Sequence, residues 1–584
     1  MPLGQIVDNR YQILAPCIWL DTQPEQPPQT PDTLPAFALP YLKAYPQSLH
    51  VPTLYGICYT ADGEPILLLS NIPVDRAGKL LPSLRRAWEQ TTGFRQVYWC
   101  WQMLQLWQSL SALGVAASLL KEVNVRVDSW RLRLVAFTSQ PAAPTLADLA
   151  AHWRALLPKA DPQVAAGLEP ICQQLQAANV DLANVEEQLN RLLLSQAMTL
   201  SISLAVAGNT SAGPQQPRNE DACYPSYTEY KRTQTADLPA LPRLAIVCDG
   251  VGGHAGGEVA SQTVVRTLQL QFRSLLAEAE EETTPLPPAL VMEQIEAAIR
   301  VANNLVANQN DSQGRAERQR MGTTLVAALQ LRQRIPTDQG WEDINELYIA
   351  HAGDSRAYWI TPEGCCQLTL DDDIAGREVA AGRSVLAAAR QRPDAGSLTQ
   401  AIGIREAEFL KPHIQRFILD EEGVLLLCSD GLSDHHRVEE SWANYIGLIV
   451  KRIVSLQAAV DSWIELANQK NGHDNVAVVL MHCQVTPGAP TVQDTGSLTR
   501  QQDNLETELT EASKALLYGE TEEDAPAVFE TPAPPQPATF PWKRTILTLM
   551  GLGILGIGGF LVWQFIKASP SPEPAPQTLP NVPE

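Results

Sequence analysis

Basic charge is what this chain most lacks. It sets 43 Lys and Arg against 65 Asp and Glu, for a formal net charge of −22 over 584 residues. A surface that acidic does not neutralise a phosphate backbone, so no nucleic-acid partner is expected. The same balance suits divalent cations. Cysteine is sparse and unpatterned: the ten Cys include no CxxC spacing, and Cys365–Cys366 is the only close pair. That excludes a zinc site or a disulfide framework of the usual spacing and points to reduced thiols. The opening stretch MPLGQIVDNRYQIL has no basic segment followed by an apolar run, so no secretory leader is expected.

At about 150 residues per domain, the length predicts two or three folded units with linkers. Residues 1–190 are expected to form an N-terminal accessory domain. Apolar spacing over Tyr98–Leu113 predicts a helix, and Asn124–Phe137 predicts two short strands joined near Asp128–Trp130. The stretch LLKEVNVRVDSWRLRLVAF, Leu119 to Phe137, resembles the catalytic and metal loops of protein kinases, with Lys121 and Asn124 at the loop positions. The kinase chemistry is missing. Leu119 stands where that family has its base, Ala136 stands where it has its metal-binding Asp, and no glycine-rich phosphate loop precedes them. The resemblance implies a degenerate, kinase-like domain with a regulatory or docking role; an unrelated α+β accessory domain is the other reading. Neither carries a reaction.

Residues 160–200 have helical spacing and lead into a second domain over 200–485. Strand-like runs at 201–207, 244–248, 323–331, 347–352, 357–360, 424–428 and 476–482 alternate with helices at 258–275, 288–309, 374–382, 441–453 and 455–469. A layered α/β or α+β sandwich is predicted. Residues 486–542 turn acidic and Pro-rich and read as a disordered tether. Ile546–Ile566 is an uncharged apolar run, long enough to cross a hydrocarbon core of about 30 Å, with Trp542 and Trp563 at interfacial positions. The expectation is a single-pass transmembrane helix, with the large N-terminal part cytoplasmic and the Pro-rich tail, 568–584, on the other side.

The chemistry lies in Asp-bearing turns beside apolar runs: PRNEDACYP (Glu220, Asp221), VCDGVGGH (Asp249, Gly250), YIAHAGDSRAY (Asp354), LLLCSDGLSD (Asp430, Asp434) and NGHDNVAVV (Asp474). Each alone is an ordinary turn. Together they place carboxylates at the emerging ends of several buried strands. Carboxylates gathered that closely repel one another unless hard cations such as Mg²⁺ or Mn²⁺ supply the compensating charge.

In this order NED, DGVGGHAGGE, GTT, AGDSR, LTQAIG, CSDGLSD and HDN resemble the metal-dependent, type 2C serine/threonine phosphatases in their bacterial form. That resemblance implies an α-β-β-α sandwich hydrolysing phosphoserine and phosphothreonine in proteins by a metal-activated bridging water. It implies two Mn²⁺ or Mg²⁺ ions and a weaker third. Asp249 would bridge both ions, Asp221 and the Gly250 carbonyl would help hold one, and Asp430 and Asp474 the other. Glu220 would act through water, and Asp354 with Asp430 would take the third ion.

Three departures matter. Gln216 stands where the family has its phosphate-binding arginine, leaving Arg218 as the candidate. Val251 replaces a histidine of eukaryotic relatives, and His254 is read as a loop residue. Asp371-Asp372-Asp373 replaces Asp-His-Ser, which would disfavour acidic phosphopeptides. Ser355 and Arg356 are expected to fix the Asp354 loop, His351 to lie in the core, and His435 and His436 to lie on the surface. The competing reading is a membrane-tethered pseudophosphatase acting as a signalling adaptor, with Gln216 as its mark.

Overall fold

Apolar alternation decides which layer each strand face meets. The computed structural model describes residues 2–487 apart from 32, 61, 76, 199, 230–242, 252–255 and 338–339. The N-terminal region holds a small sheet, β1 (Ile6–Val7), β2 (Tyr11–Ala15) and β3 (Ile18–Asp21), then α1 (Leu39–Lys43) and the hairpin β4 (Thr53–Tyr59) and β5 (Pro65–Ser70). Helices α2 (Leu84–Trp88) and α3 (Gly93–Ala112) follow, then the hairpin β6 (Val125–Asp128) and β7 (Arg131–Leu134), and helices α4 (Leu146–Arg154), α5 (Pro162–Leu175) and α6 (Leu182–Ala197). The predicted helix and hairpin therefore form, and the helix starts earlier than its apolar spacing suggested. Thr92 explains the start, because its hydroxyl accepts from Arg95 N and caps the first turn.

The second region runs through β8 (Leu200–Ser211), β9 (Ala222–Tyr224), β10 (Leu244–Cys248), β11 (Gly250–Val251), α7 (Gly257–Glu281), α8 (Pro288–Ser312) and β12 (Gly322–Thr323). It continues with β13 (Leu325–Thr337), β14 (Gly340–Ala352), β15 (Arg356–Ile360), β16 (Cys365–Gln367), α9 (Ile374–Ala380) and α10 (Leu386–Ala389). It ends with β17 (His413–Phe417), β18 (Gly423–Cys428), α11 (Asp430–Ser433), α12 (Arg437–Val450), α13 (Leu456–Lys470) and β19 (Val476–Pro487). Two antiparallel five-stranded sheets result, ordered β17-β14-β13-β10-β9 and β16-β15-β18-β19-β8.

Strand β10 shows how the layers are assigned. Leu244, Ile246 and Cys248 face Val264, Leu268 and Ile299 of α7 and α8, while Ala245 and Val247 face the second sheet. Strand β18 mirrors it, with Val424, Leu426 and Cys428 against the α12–α13 layer and Leu425 and Leu427 turned inward. Both faces are buried, so the strands read as continuous apolar runs. The expected four-layer sandwich is the observed one.

The two regions share a core. The described residues make one compact unit, and a single apolar cluster runs from Trp88, Trp99 and Trp153 to Ile349, Trp359, Leu425 and Met481. Arg95 adds polar ties to Asp420 (2.5 Å) and Glu421 (3.2 Å), and Trp130 meets Phe417 edge to face at 5.7 Å. Among the described residues no helix is long and apolar enough to cross a membrane. The expected tether, transmembrane helix and tail lie outside the described residues.

Candidate metal centre

Antiparallel order gathers the carboxylates on one edge. Asp221 precedes β9, Asp249 follows β10, Asp354 sits in the β14–β15 turn, Asp430 follows β18 and Asp474 precedes β19. In an antiparallel sheet, the start of one strand and the end of its neighbour lie at the same edge. The five turns, far apart in the chain, therefore converge by topology.

They converge closely enough for their charges to act on one another. Burial, and then neighbouring carboxylates, push Asp221 up to about 8, Asp354 up to about 8, and Asp249 well above its usual range. Burial and the Asp434 and Asp474 charges, partly offset by Asp249, raise Asp430 to about 6. Asp474 also acts on Asp221 and Glu220. Asp221 Oδ1 and Asp430 Oδ1 are buried without a hydrogen-bond partner. Orphaned buried carboxylate oxygens in an all-oxygen cluster fit a hard divalent cation. Among the described residues no three His, Cys, Asp or Glu side chains enclose one ready-made ion position.

The surroundings fix each member. Ser429 Oγ donates to Asp221 Oδ2 at 2.7 Å and accepts from Ala477 N at 2.9 Å, locking that carboxylate to β19. Thr324 brackets Asp249, its N donating to the Asp249 carbonyl at 2.8 Å and its Oγ1 accepting from Asp249 N at 3.0 Å. Asn475 ties two motifs together: Oδ1 accepts from Glu220 N at 2.7 Å, and Nδ2 donates to Ala212 O and Arg218 O at 2.8 and 2.9 Å. The Glu220 carboxylate lies against the start of α7, where a Cβ on Gly257 would come within 2.1 Å of Oε2, so no side chain is tolerated there. The Gly250 carbonyl side is equally crowded, with Gly257 and the Glu220 carbonyl within 2.6 Å of any added Cβ.

The other expected residues fall as follows. Gln216 Nε2 donates to His473 O at 2.9 Å, so that side chain braces the Asp474 turn. Arg218 is exposed, and its charge acts on Glu220. Arg356 fixes the Asp354 loop, donating to Asp371 Oδ1 and Oδ2 at 2.8 and 2.7 Å. His351 is buried, with Nε2 on Leu370 O at 2.7 Å, and His435 and His436 are exposed. His254 lies outside the described residues.

One expectation is corrected. Asp371, Asp372 and Asp373 are not a free acidic screen. Asp371 is paired with Arg356, Asp372 Oδ2 accepts from Gly353 N at 3.1 Å, and Asp373 caps α9 through Gly376 N at 2.6 Å. Sequence reasoning also missed Ser429 and Glu258. The first stands beside Asp430 in CSDG, and the second has Oε2 buried without a partner and acts on Glu220. A polar residue between a buried strand and a candidate ligand was the available signal.

Residues 215–465 match the family model described as protein phosphatase 2C. The serine/threonine phosphatase stp of Listeria monocytogenes is 32% identical over 246 residues, spanning 42% of this chain and 85% of that protein. The serine/threonine protein phosphatase PstP of Mycobacterium tuberculosis is 28% identical over 376 residues, 63% of each chain. The solved catalytic domain of a serine/threonine phosphatase PstP, in complex with two manganese ions, is 27% identical, with 49% of this chain and 100% of that chain covered and a TM-score of 0.35. At that score the structural likeness adds nothing to the sequence relationship. With its motifs in order around one carboxylate edge and 32% identity over 85% of the length of stp, the chain belongs to the protein phosphatase 2C family of serine/threonine phosphatases.

Proposed function

We propose that this chain hydrolyses phosphoserine and phosphothreonine in proteins at the β9–β10–β14–β18–β19 edge, with Mn²⁺ or Mg²⁺ held by Asp221, Asp249, the Gly250 carbonyl, Asp430 and Asp474. A weaker third ion would take Asp354 with Asp430. The single observation that carries this reading is the burial of Asp221, Asp249 and Asp430 together at one edge, where their charges act on one another and Asp221 and Asp430 each keep an orphaned oxygen. When bound, such ions supply positive charge for the phosphoryl oxygens and an activated water for attack.

The chain's own groups do the positioning. Asp249, buried among Asp221, Asp430 and Asp354, would hold both ions. Ser429 holds Asp221 in one rotamer, and Thr324 fixes the backbone from which Asp249 projects. Glu220, beside the α7 N-terminus and Arg218, is placed to bind water at the rim. Arg218, exposed and acting on Glu220, is the candidate guanidinium for a phosphate. Cysteine takes no part, and burial raises the Cys223 and Cys428 thiols far above the range in which they ionise.

We further assign the 546–566 run to a membrane anchor, with residues 486–542 as its tether and the folded part on the cytoplasmic side. The adaptor reading draws on Gln216 alone, and the retained carboxylates count against it. The test uses the whole chain, because the two regions share a core: p-nitrophenyl phosphate hydrolysis with and without Mn²⁺, before and after Asp249→Ala. Turnover that needs Mn²⁺ and disappears in the variant is expected. A chain that binds Mn²⁺ but never turns over would make it an adaptor.

A further inference from the structure

Between Asp371 and Gly403 the chain leaves the sandwich and returns, and both feet of this excursion stand on turns of the metal site. At the outgoing foot, Asp372 N donates to Gly353 O at 2.9 Å and Gly353 N donates to Asp372 Oδ2 at 3.1 Å, while Asp371 pairs with Arg356. Gly353 and Arg356 flank Asp354. At the returning foot, Thr323 and Ile402 exchange both backbone hydrogen bonds, at 3.1 and 2.8 Å, and Thr323 Oγ1 donates to the Asp249 carbonyl at 2.7 Å. The feet are joined to each other, since Thr399 donates to Asp372 O from both N and Oγ1, at 2.7 and 2.9 Å. The excursion is a closed loop whose position is set at the Asp354 and Asp249 turns together.

The N-terminal region, and not the sandwich, covers its outer part. Ala375, Val379 and Val385 form one apolar cluster with Tyr41, Leu42 and Leu54. Tyr45 packs on α9: its ring lies 3.4 Å from where a Cβ of Gly376 would stand, and its hydroxyl senses Asp371, Asp373, Arg390 and Arg356. α1 is itself anchored, because Tyr41 OH accepts from Phe137 N at 2.9 Å and the two rings meet at 4.5 Å. Helices of seven and four residues do not hold helical form alone, so the order of the excursion depends on the surface it is packed against.

We propose that the N-terminal region is a positioning clamp beside the phosphatase site: α1 and Tyr45 hold the 371–403 excursion, whose two feet stand on the Asp354 and Asp249 turns, in the arrangement a phosphoprotein substrate requires. The proposal rests on the phosphatase reading. Tyr45 touches no reacting group and acts through the excursion, so its effect separates by substrate size. A small aryl phosphate needs only the carboxylate edge, whereas a peptide also meets the excursion beside it.

The test compares Tyr45→Ala, Tyr45→Phe and Trp19→Ala in the full chain with Mn²⁺, on a phosphothreonine peptide and on p-nitrophenyl phosphate. Trp19, in β3, belongs to the same region but lies outside the cluster that touches the excursion. For Tyr45→Ala, kcat/KM on the peptide is expected to fall about tenfold while p-nitrophenyl phosphate turnover stays within about twofold. Amide exchange is expected to quicken across 371–403 and remain unchanged in β10 and β18. Tyr45→Phe keeps the ring and both activities, and Trp19→Ala leaves the substrate ratio unchanged. Equal loss on both substrates, an unchanged ratio, or exchange across 371–403 that does not respond to Tyr45→Ala would each overturn the clamp. Absent p-nitrophenyl phosphate turnover in the unmodified chain would instead remove the phosphatase reading, and the exchange measurement still reports on the contact.

Discussion

The 119–137 stretch of the N-terminal region, whose sequence resembles a kinase loop, and the carboxylate edge of the sandwich both carry polar side chains in buried turns, and they use them in opposite ways. In the first, Asn124 donates to Ser118 O at 2.8 Å and accepts from Ala136 N at 2.9 Å, and Ser118 Oγ accepts from Thr138 N at 2.8 Å. These two side chains spend their bonds on nearby backbone, which holds the turn as structure. In the second, Asp221 and Asp430 each keep an oxygen buried and unpartnered, and the charges of other acids act on both. That arrangement costs stability unless a cation completes it. The difference separates a turn that only folds from one that also binds.

The comparison breaks most decisively at Asp221. Asp221→Asn is expected to lower Mn²⁺-dependent turnover at least about a thousandfold, measured on p-nitrophenyl phosphate, and to raise the melting temperature of the chelated protein. The sign of the pH dependence follows. With Asp221 raised from 3.8 to about 8 in the folded chain, the folded state holds a proton that the unfolded state has lost. This group's contribution is fully present below about pH 4 and is lost as pH rises through about 8. Melts in chelator should therefore fall with rising pH, and Asp221→Asn or added Mn²⁺ should flatten the slope. A slope unaffected by either would place the protons elsewhere.

Ser429→Ala leaves the ligands in place and removes their support. The expected loss is about ten- to a hundredfold in Mn²⁺ affinity, read from the midpoint of an activity titration with fold stability followed in parallel. On the other side of the comparison, Asn124→Ala should cost about 1–3 kcal/mol of stability by denaturant titration and leave turnover per folded molecule unchanged. Activity lost without stability would mean that the kinase-like loop does more than hold itself. The smallest effect is expected from Gln216→Arg, a roughly threefold lower KM for phosphate esters from one added charge-assisted contact. That gain is offset in part by the lost bond to the His473 carbonyl. An unchanged KM would mean that position 216 does not face the phosphate.

Local patterning made much of the molecule readable. Strand β10 occupies the residues its apolar run predicts, and the aspartates stand at strand ends because an ionisable group following five buried residues marks the point where a strand reaches water. Other elements left no such mark. β5 is half-buried along its whole length, so it shows no alternation, and β4 carries Gly56 in a register shift against Pro28. The Asp371–Asp373 run looked like free charge because nothing local shows that Arg356, Gly353 and Gly376 N consume it.

By itself, then, the sequence determined the sandwich layers and the strand-end carboxylates, both of which depend on neighbours within a few residues. Only the tertiary structure decided that Asp221, Asp249 and Asp430 lie buried together, that Ser429 holds one of them, and that α1 lies on the 371–403 excursion. Those relations join residues up to hundreds of positions apart, and they are set by which buried faces find each other once the strands have paired.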